Sequence, residues 1–236
     1  MSLGPLTPLA TGTRLCLRWV RVILMVFEPT VKATEHDDIT RAMRAVPRRD
    51  FLPRSQRPFA DHDAPLPIGR GQTSSQPTTV AAMLRLLRVP LGARVLDVGA
   101  GSGWTTALLA YLTGPSGSVL GVERDSRLAE WGAANVERTG MDWATVEPAT
   151  PGVLGHPRPN GWDRILVSAS AAALPRALVD QVGIGGRMVI PIRTSLLLIE
   201  RLPDGRIRAT DHGGYRFVPL IQDQPVERSE QSRKSG

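Results

Sequence analysis

Residues Arg94-Val-Leu-Asp-Val-Gly-Ala-Gly-Ser-Gly-Trp104 constrain the fold more than any other stretch of this chain. Val95, Leu96 and Val98 make the short apolar run of a strand buried on both faces, and it breaks at once into glycines at alternate positions. An apolar helical pattern, Trp104 to Leu112, follows directly. Strand, glycine turn and helix in that order bring backbone N–H groups to a ligand at the carboxyl end of a strand in doubly wound α/β folds. The spacing limits the ligand. A dinucleotide fingerprint, G-x-G-x-x-G, would need glycine at position 104, where the chain has Trp104.

Gly99-x-Gly101-x-Gly103 with Asp97 two residues ahead is instead the pattern of S-adenosylmethionine (SAM)-dependent methyltransferases. Glycine-rich turns also arise for packing alone, so the motif by itself leaves both readings open. Farther on, Ser118 to Glu123 reads as a second strand with a carboxylate at its end, 24 residues past Gly99. In this topology Glu123 lies beside the glycine turn and can accept both hydroxyls of a ribose. Asp97 has two readings, orienting the amino end of a methionine moiety or holding the turn through backbone N–H groups. The sulfonium is cationic, so the ligand's carboxylate, not its sulfur, belongs toward a helix N-terminus.

The remaining pattern is that of an alternating α/β domain. Helices are expected over Ile39–Val46, from Val80 through Leu87 (apolar at i, i+3, i+4, i+7), after Asp125 or Ser126, and over Pro175–Val182. Further strands are expected at Ala144–Glu147, Asp163–Ser168, Arg187–Ile192, Leu196–Leu202 and Tyr215–Leu220, the last two joined through the turn Pro203-Asp-Gly205. Arg48 to Ile68 reads as an irregular arm, Pro148 to Gly161 as a long loop. Gly69-Arg-Gly-Gln-Thr-Ser-Ser-Gln-Pro77 reads as a turn whose backbone can approach a ligand. The expected fold is therefore a mostly parallel seven-stranded sheet with helices on both faces and an antiparallel pair at one edge, the class I SAM-dependent methyltransferase arrangement. The methyltransferase domain spans 35–221, after an extension (1–34) read as disordered and before a polar tail (222–236). Met25 is an alternative start.

Composition excludes several classes. With Cys16 as the only cysteine, neither an intrachain disulfide nor a cysteine-based zinc site can form, and His36, His62, His156 and His212 have no ligand spacing, so no metal is expected. The apolar run Leu15–Phe27 is broken by Arg18 and Arg21 and is too short to span a bilayer. The net charge of +7 comes from scattered arginines, Lys32 and Lys234 being the only lysines, with no aromatic-interleaved basic stripe. Ser168-Ala-Ser-Ala-Ala-Ala-Leu-Pro175 follows the fourth strand in place of the [DN]-P-P-[FYW] turn used on exocyclic base nitrogens. Nucleic acid is not the expected partner.

Several segments together resemble the protein-L-isoaspartate O-methyltransferase family. They are Arg44-Ala-Val-Pro-Arg-Arg-Asp-Phe-Leu-Pro53, Leu66-Pro-Ile-Gly-Arg-Gly-Gln-Thr-Ser-Ser-Gln-Pro77, Asp163-Arg-Ile-Leu-Val167, Gly185-Gly-Arg-Met-Val-Ile-Pro191 and Arg216-Phe-Val-Pro-Leu220. The resemblance covers about residues 40–221 and implies a SAM-dependent carboxyl methylation of isoaspartyl residues in damaged proteins, by a cytoplasmic monomer. It places the active-site serine at Ser75, sets Gln72, Thr73 and Ser74 along the cofactor, and puts Asp63 on the substrate side. There are departures. The family's Asp that reads the adenine amine falls on Pro151, its loop isoleucine is Ser74, its motif tyrosine is Trp104, and its glycine-led loop after Ile192 shortens to Arg193-Thr-Ser195. Two alternatives stay open on these departures: a methyltransferase for a dedicated peptide or small molecule, or a non-catalytic SAM- or peptide-binding relative.

Overall fold

A computed structural model describes residue 1, residues 31–214 and residues 217–220. The extension up to residue 30, with Met25, and the tail from 222 lie outside these residues. In chain order the elements are α1 (Val31–Ala45), two 3-10 turns (Arg48–Phe51 and Arg57–Phe59), β1 (Leu66–Gly69), β2 (Gln72–Ser74), α2 (Pro77–Leu87), β3 (Arg94–Val98), α3 (Trp104–Thr113), β4 (Ser118–Glu123), α4 (Ser126–Glu137) and β5 (Ala144–Pro148). There follow β6 (Trp162–Val167), α5 (Arg176–Val179), β7 (Val182–Ile192), β8 (Ser195–Arg201) and β9 (Ile207–Gly214).

The main sheet has seven strands in the order β5-β4-β3-β6-β7-β8-β9. Its first five are parallel, and β8 runs antiparallel to both β7 and β9. β3 is central and buried along its apolar length, as its unbroken apolar run requires. Its side chains alternate between two cores: Val95 packs with the helices α1 to α4, whereas Leu96 and Val98 pack with α5 and the loop before β6. The connection out of β3 leads to β4 on one side, whereas β6 flanks it on the other. This strand-order reversal opens a crevice at the carboxyl ends of the strands. Among the described residues no helix is long and apolar enough to cross a membrane.

Four details differ from the expectations. α1 begins at Val31 rather than Ile39, inside the segment read as an extension. The Gly69–Pro77 turn is a β-hairpin, β1 pairing antiparallel with β2. The helix expected over Pro175–Val182 is a single turn, because Trp162 N–H takes the Gln181 carbonyl at 2.8 Å and draws Val182 into β7. Among the described residues the second face of the sheet is thus covered by one turn of helix and loops. The seventh strand is Ile207–Gly214, not Tyr215–Leu220. The Pro203–Gly205 turn closes with Leu202 N–H on Arg206 O at 2.8 Å, so pairing starts at Arg201↔Ile207 and the polar residues next in line form the edge. Tyr215 and Arg216 lie outside the described residues. Val218 to Leu220 turn in to Ser170, whose N–H donates to Val218 O and whose O accepts from Leu220 N–H, each at 2.7 Å.

Candidate active site

The glycine turn is built by strand ends and by α4. Gly99 N–H and Ala100 N–H donate to Val122 O at 2.8 and 3.2 Å, and Gly101 N–H donates to Glu123 Oε2 at 2.9 Å. Gly99, Gly101 and Gly103 all have positive φ (83°, 55° and 86°). Gly103 also needs space, since a Cβ there would lie 2.7 Å from Gly132 O on α4. Asn135 Nδ2, also on α4, donates to Ser102 O at 2.8 Å. The turn is therefore locked from behind, with its front facing a cavity of about 790 Å³, within the range of small-molecule sites.

Glu123 lines that cavity while 8% exposed. Its Oε1 accepts Asp125 N–H at 3.0 Å and its Oε2 accepts Gly101 N–H, so two backbone donors fix the carboxylate and leave lone pairs for a diol. Asp97 is different. It is fully buried beneath the turn and is not itself in the cavity lining. Nor does it hold the turn backbone: its Oδ2 accepts the hydroxyls of Thr105 (2.6 Å) and Thr106 (2.7 Å) on α3. Burial pushes its pKa up to about 6, against the opposing pull of those hydroxyls. On its other side Asp97 has the hydroxyl of Ser168, which lines the cavity and also pulls the Asp97 pKa down. A donor set of this kind fits SAM. An ammonium group at the floor would meet the Ser168 hydroxyl, with the Asp97 carboxylate behind it, and the Glu123 carboxylate suits the ribose.

The opposite wall is the β1–β2 hairpin together with Ser75. Gln72, Thr73, Ser74 and Ser75 all line the same cavity as Gly99 and Gly101. Ser75 is half-buried and free of the clamp that holds its neighbour, for Ser74 Oγ and Ser74 O both accept from Arg48. Asp63, expected on the substrate side, is not in the cavity lining but lies next to the Ser75 loop. It is exposed, and accepts Thr78 N–H at 2.9 Å, Thr78 Oγ1 at 2.8 Å and Gln76 Nε2 at 3.3 Å. The Thr78 backbone bond foremost lowers its pKa, so it caps the start of α2 as an anion and ties the arm to the loop bearing Ser75.

Beyond Glu123 the cavity ends on Ala149, Thr150, Pro151, Gly152 and Val153, a wall without a carboxylate. Ala149 N–H donates to Glu123 O at 2.8 Å. Gln181, 5% exposed, holds the far side of this loop by donating to Leu154 O and accepting from His156 N–H. The shortened Arg193–Thr194 turn stays outside the lining. Arg193 N–H donates to Ala171 O, and the mouth beside it is closed by Val218, Pro219 and Leu220. Sequence reasoning missed Gln181, the Val218–Leu220 wall, and two arginines, Arg48 and Arg70. Both arginines stand within the family-like segments, but only their neighbours in space reveal what they do. Trp104 fills the motif tyrosine position, donating through Nε1 to Val46 O at 3.0 Å.

Known proteins resemble this chain in sequence and in fold. A family model for protein-L-isoaspartate(D-aspartate) O-methyltransferase (PCMT) matches residues 24–225. The chain is 43% identical over 196 residues to the protein-L-isoaspartate O-methyltransferase of Methanopyrus kandleri, covering 81% of this chain and 87% of that one. It is 46% identical over 187 residues to the Aeropyrum pernix protein of the same name, covering 78% and 72%. A crystal structure described as a beta-aspartate methyltransferase (PCMT) from Plasmodium falciparum in complex with S-adenosyl-L-homocysteine (SAH) aligns with a TM-score of 0.68 at 27% identity, over 81% of this chain and 95% of that one. By sequence and by fold, the chain belongs to the protein-L-isoaspartate(D-aspartate) O-methyltransferase family.

Proposed function

We propose that the protein transfers a methyl group from SAM to the α-carboxylate of L-isoaspartyl residues in damaged proteins or peptides. The observation that carries this reading is the shared cavity: Gly99 to Ser102 of the glycine turn form one wall and Gln72 to Ser75 another. When bound, SAM supplies an electrophilic methyl group on a sulfonium. Glu123 receives the ribose hydroxyls, and Asp97 supplies negative charge beneath the ammonium end. Ser75 donates its hydroxyl to one oxygen of the acceptor carboxylate and so aims the other.

No general base is needed. A carboxylate of this kind ionises near pH 3.5, so it is already the nucleophile at neutral pH. What remains is orientation and exclusion of water, which together can lower a barrier by about 7–11 kcal/mol. The uncharged 149–153 wall and the Val218–Leu220 flank serve that exclusion. We take the enzyme to act on polypeptide in the cytoplasm, as a monomer and without a nucleic-acid partner, since its arginines are scattered along the chain.

A second reading, a methyltransferase for one dedicated peptide or small molecule, draws on Pro151 in the cavity wall and on the Arg193–Thr194 turn outside it. One experiment separates the two. Purified protein is given labelled SAM with an isoaspartyl peptide and with the matching aspartyl peptide. Methylation of the first alone is expected; SAM binding with neither peptide methylated would overturn the isoaspartyl reading.

A further inference from the structure

Arg48 stands out among the buried residues. It is 5% exposed, yet its hydrogen bonds all end on uncharged oxygens. Nε donates to Ser74 Oγ at 3.1 Å, and the terminal nitrogens donate to the carbonyls of Ala60 (3.5 Å), His62 (3.1 Å), Ala64 (2.9 Å) and Ser74 (2.9 Å). The guanidinium also lies over the Trp104 ring, 5.6 Å from its centroid. Burial lowers its pKa to about 10, with Asp63 nearby opposing, so it remains charged at neutral pH. An ionised group buried without a bonded carboxylate is costly, and an aliphatic side chain could fill the same volume more cheaply.

Its contacts suggest what offsets that cost. Ser74 and Trp104 both line the cavity, one on the hairpin wall and one where α3 leaves the glycine turn. The 60–64 segment carries Asp63, which caps the helix just beyond Ser75. A planar fork of five donors can hold diverging carbonyls that no other side chain could satisfy together. We propose that Arg48 is a positioning residue for methyl transfer, fixing the Ser75 hydroxyl relative to the glycine turn by clamping Ser74 and stacking on Trp104. The inference rests on the function proposed above for its kinetic consequence, but not for its geometric one.

The test uses Arg48→Lys, which keeps the charge and loses the fork, and Ser74→Ala, which removes one acceptor. In each, kcat and KM for an isoaspartyl peptide, the Kd for SAH, the Tm and amide hydrogen exchange of the full chain are measured well below the Tm. For Arg48→Lys the expected result is a kcat at least about tenfold lower, with KM and the SAH Kd within about threefold. Exchange should quicken at 72–76 and stay unchanged at 99–103. Ser74→Ala should show the same split with a kcat about two- to fivefold lower, and it decides the matter if Arg48→Lys does not fold. Unchanged exchange at 72–76, a kcat within twofold of wild type, or parallel loss of kcat and SAH affinity would overturn the proposal. Should the wild type ignore isoaspartyl peptide, the functional reading falls, and the exchange pattern still decides the role of Arg48.

Discussion

Arg70 Nε donates to Asp125 Oδ2 at 2.8 Å, joining the tip of the β1–β2 hairpin to the cap of α4 across the mouth of the cavity. The tip itself is three consecutive residues with positive φ: Gly69 at 92°, Arg70 at 55° and Gly71 at 72°. Neither glycine has a neighbour within 4 Å of a would-be Cβ, and the Arg70–Asp125 pair links this hairpin end to α4. The pair is solvated, hence weak and sensitive to salt. Arg70→Gln should speed SAH release by about two- to fivefold, and raising the salt should speed release in the wild type but not in the variant. Stopped-flow displacement of SAH reads this directly. Identical salt dependence in both proteins would show that the pair does not hold the hairpin.

Ser75 and Glu123 face the same cavity but should divide its labour. Ser75→Ala removes a hydrogen bond to the acceptor, and at about 1–3 kcal/mol its kcat should fall about 10- to 100-fold with SAH affinity nearly kept. Glu123→Gln places an amide N–H against a backbone N–H that the carboxylate now accepts, from Gly101 or Asp125. It should weaken SAH about 10- to 100-fold while altering kcat at saturation less. Calorimetry and steady-state kinetics on the two variants separate these effects. Equal losses of affinity and turnover in Ser75→Ala would count against a substrate-side hydroxyl.

Asp97 makes the protein respond to pH. Its pKa rises from 3.8 unfolded to about 6 in the buried site. Below pH 3.8 both states hold the proton, whereas between 3.8 and 6 only the folded state does. Its contribution to stability is therefore full in acid and declines as pH rises through that window, by about 3 kcal/mol in all. Without cofactor, the Tm of Asp97→Asn relative to wild type should climb from pH 4 to pH 7. Cofactor binding runs the other way, because an ammonium group favours the ionised carboxylate. SAH affinity in the wild type should fall about tenfold from pH 7 to pH 5, and the variant should lack that fall.

Gly103 packs tightly against α4 behind the glycine turn. A Cβ there would meet Gly132 O at 2.7 Å and Val136 Cγ2 at 2.9 Å, on a backbone with φ of 86°. Strain at positive φ and overpacking together should cost Gly103→Ala about 3 kcal/mol. Denaturant unfolding should show this as a lower midpoint. At Gly71, where a Cβ meets nothing within 4 Å, alanine should cost only the conformational part, about 1 kcal/mol.

The order of strands and helices was legible because it is written in local pattern. Val95, Leu96 and Val98 announce a central strand, and the residues from Val80 to Leu87 an amphipathic helix, whatever lies around them. Where pattern and geometry conflict, pattern misleads. Phe217, Val218 and Leu220 look more like a strand than the polar Ile207–Gly214, but the turn at Pro203 fixes the register and pairs the latter. The positions of the glycine turn and Glu123 were readable for the same reason as β3: they follow from a short spacing within one supersecondary unit.

The sequence by itself determined the doubly wound sheet, the glycine turn at the end of its central strand, and the resemblance of the Ser75 segment to a known loop. Periodicity and short spacings carry that information, and neither depends on distant partners. Only the tertiary structure decided that Asp97 lies beneath the cavity rather than in it, that Asp63 caps α2, and that Arg48 joins two walls from outside. The last two depend on contacts between residues well separated in the chain, such as Asp63 with Thr78 and Arg48 with Trp104. Burial and hydrogen bonding at such separations exist only once the chain has closed on itself.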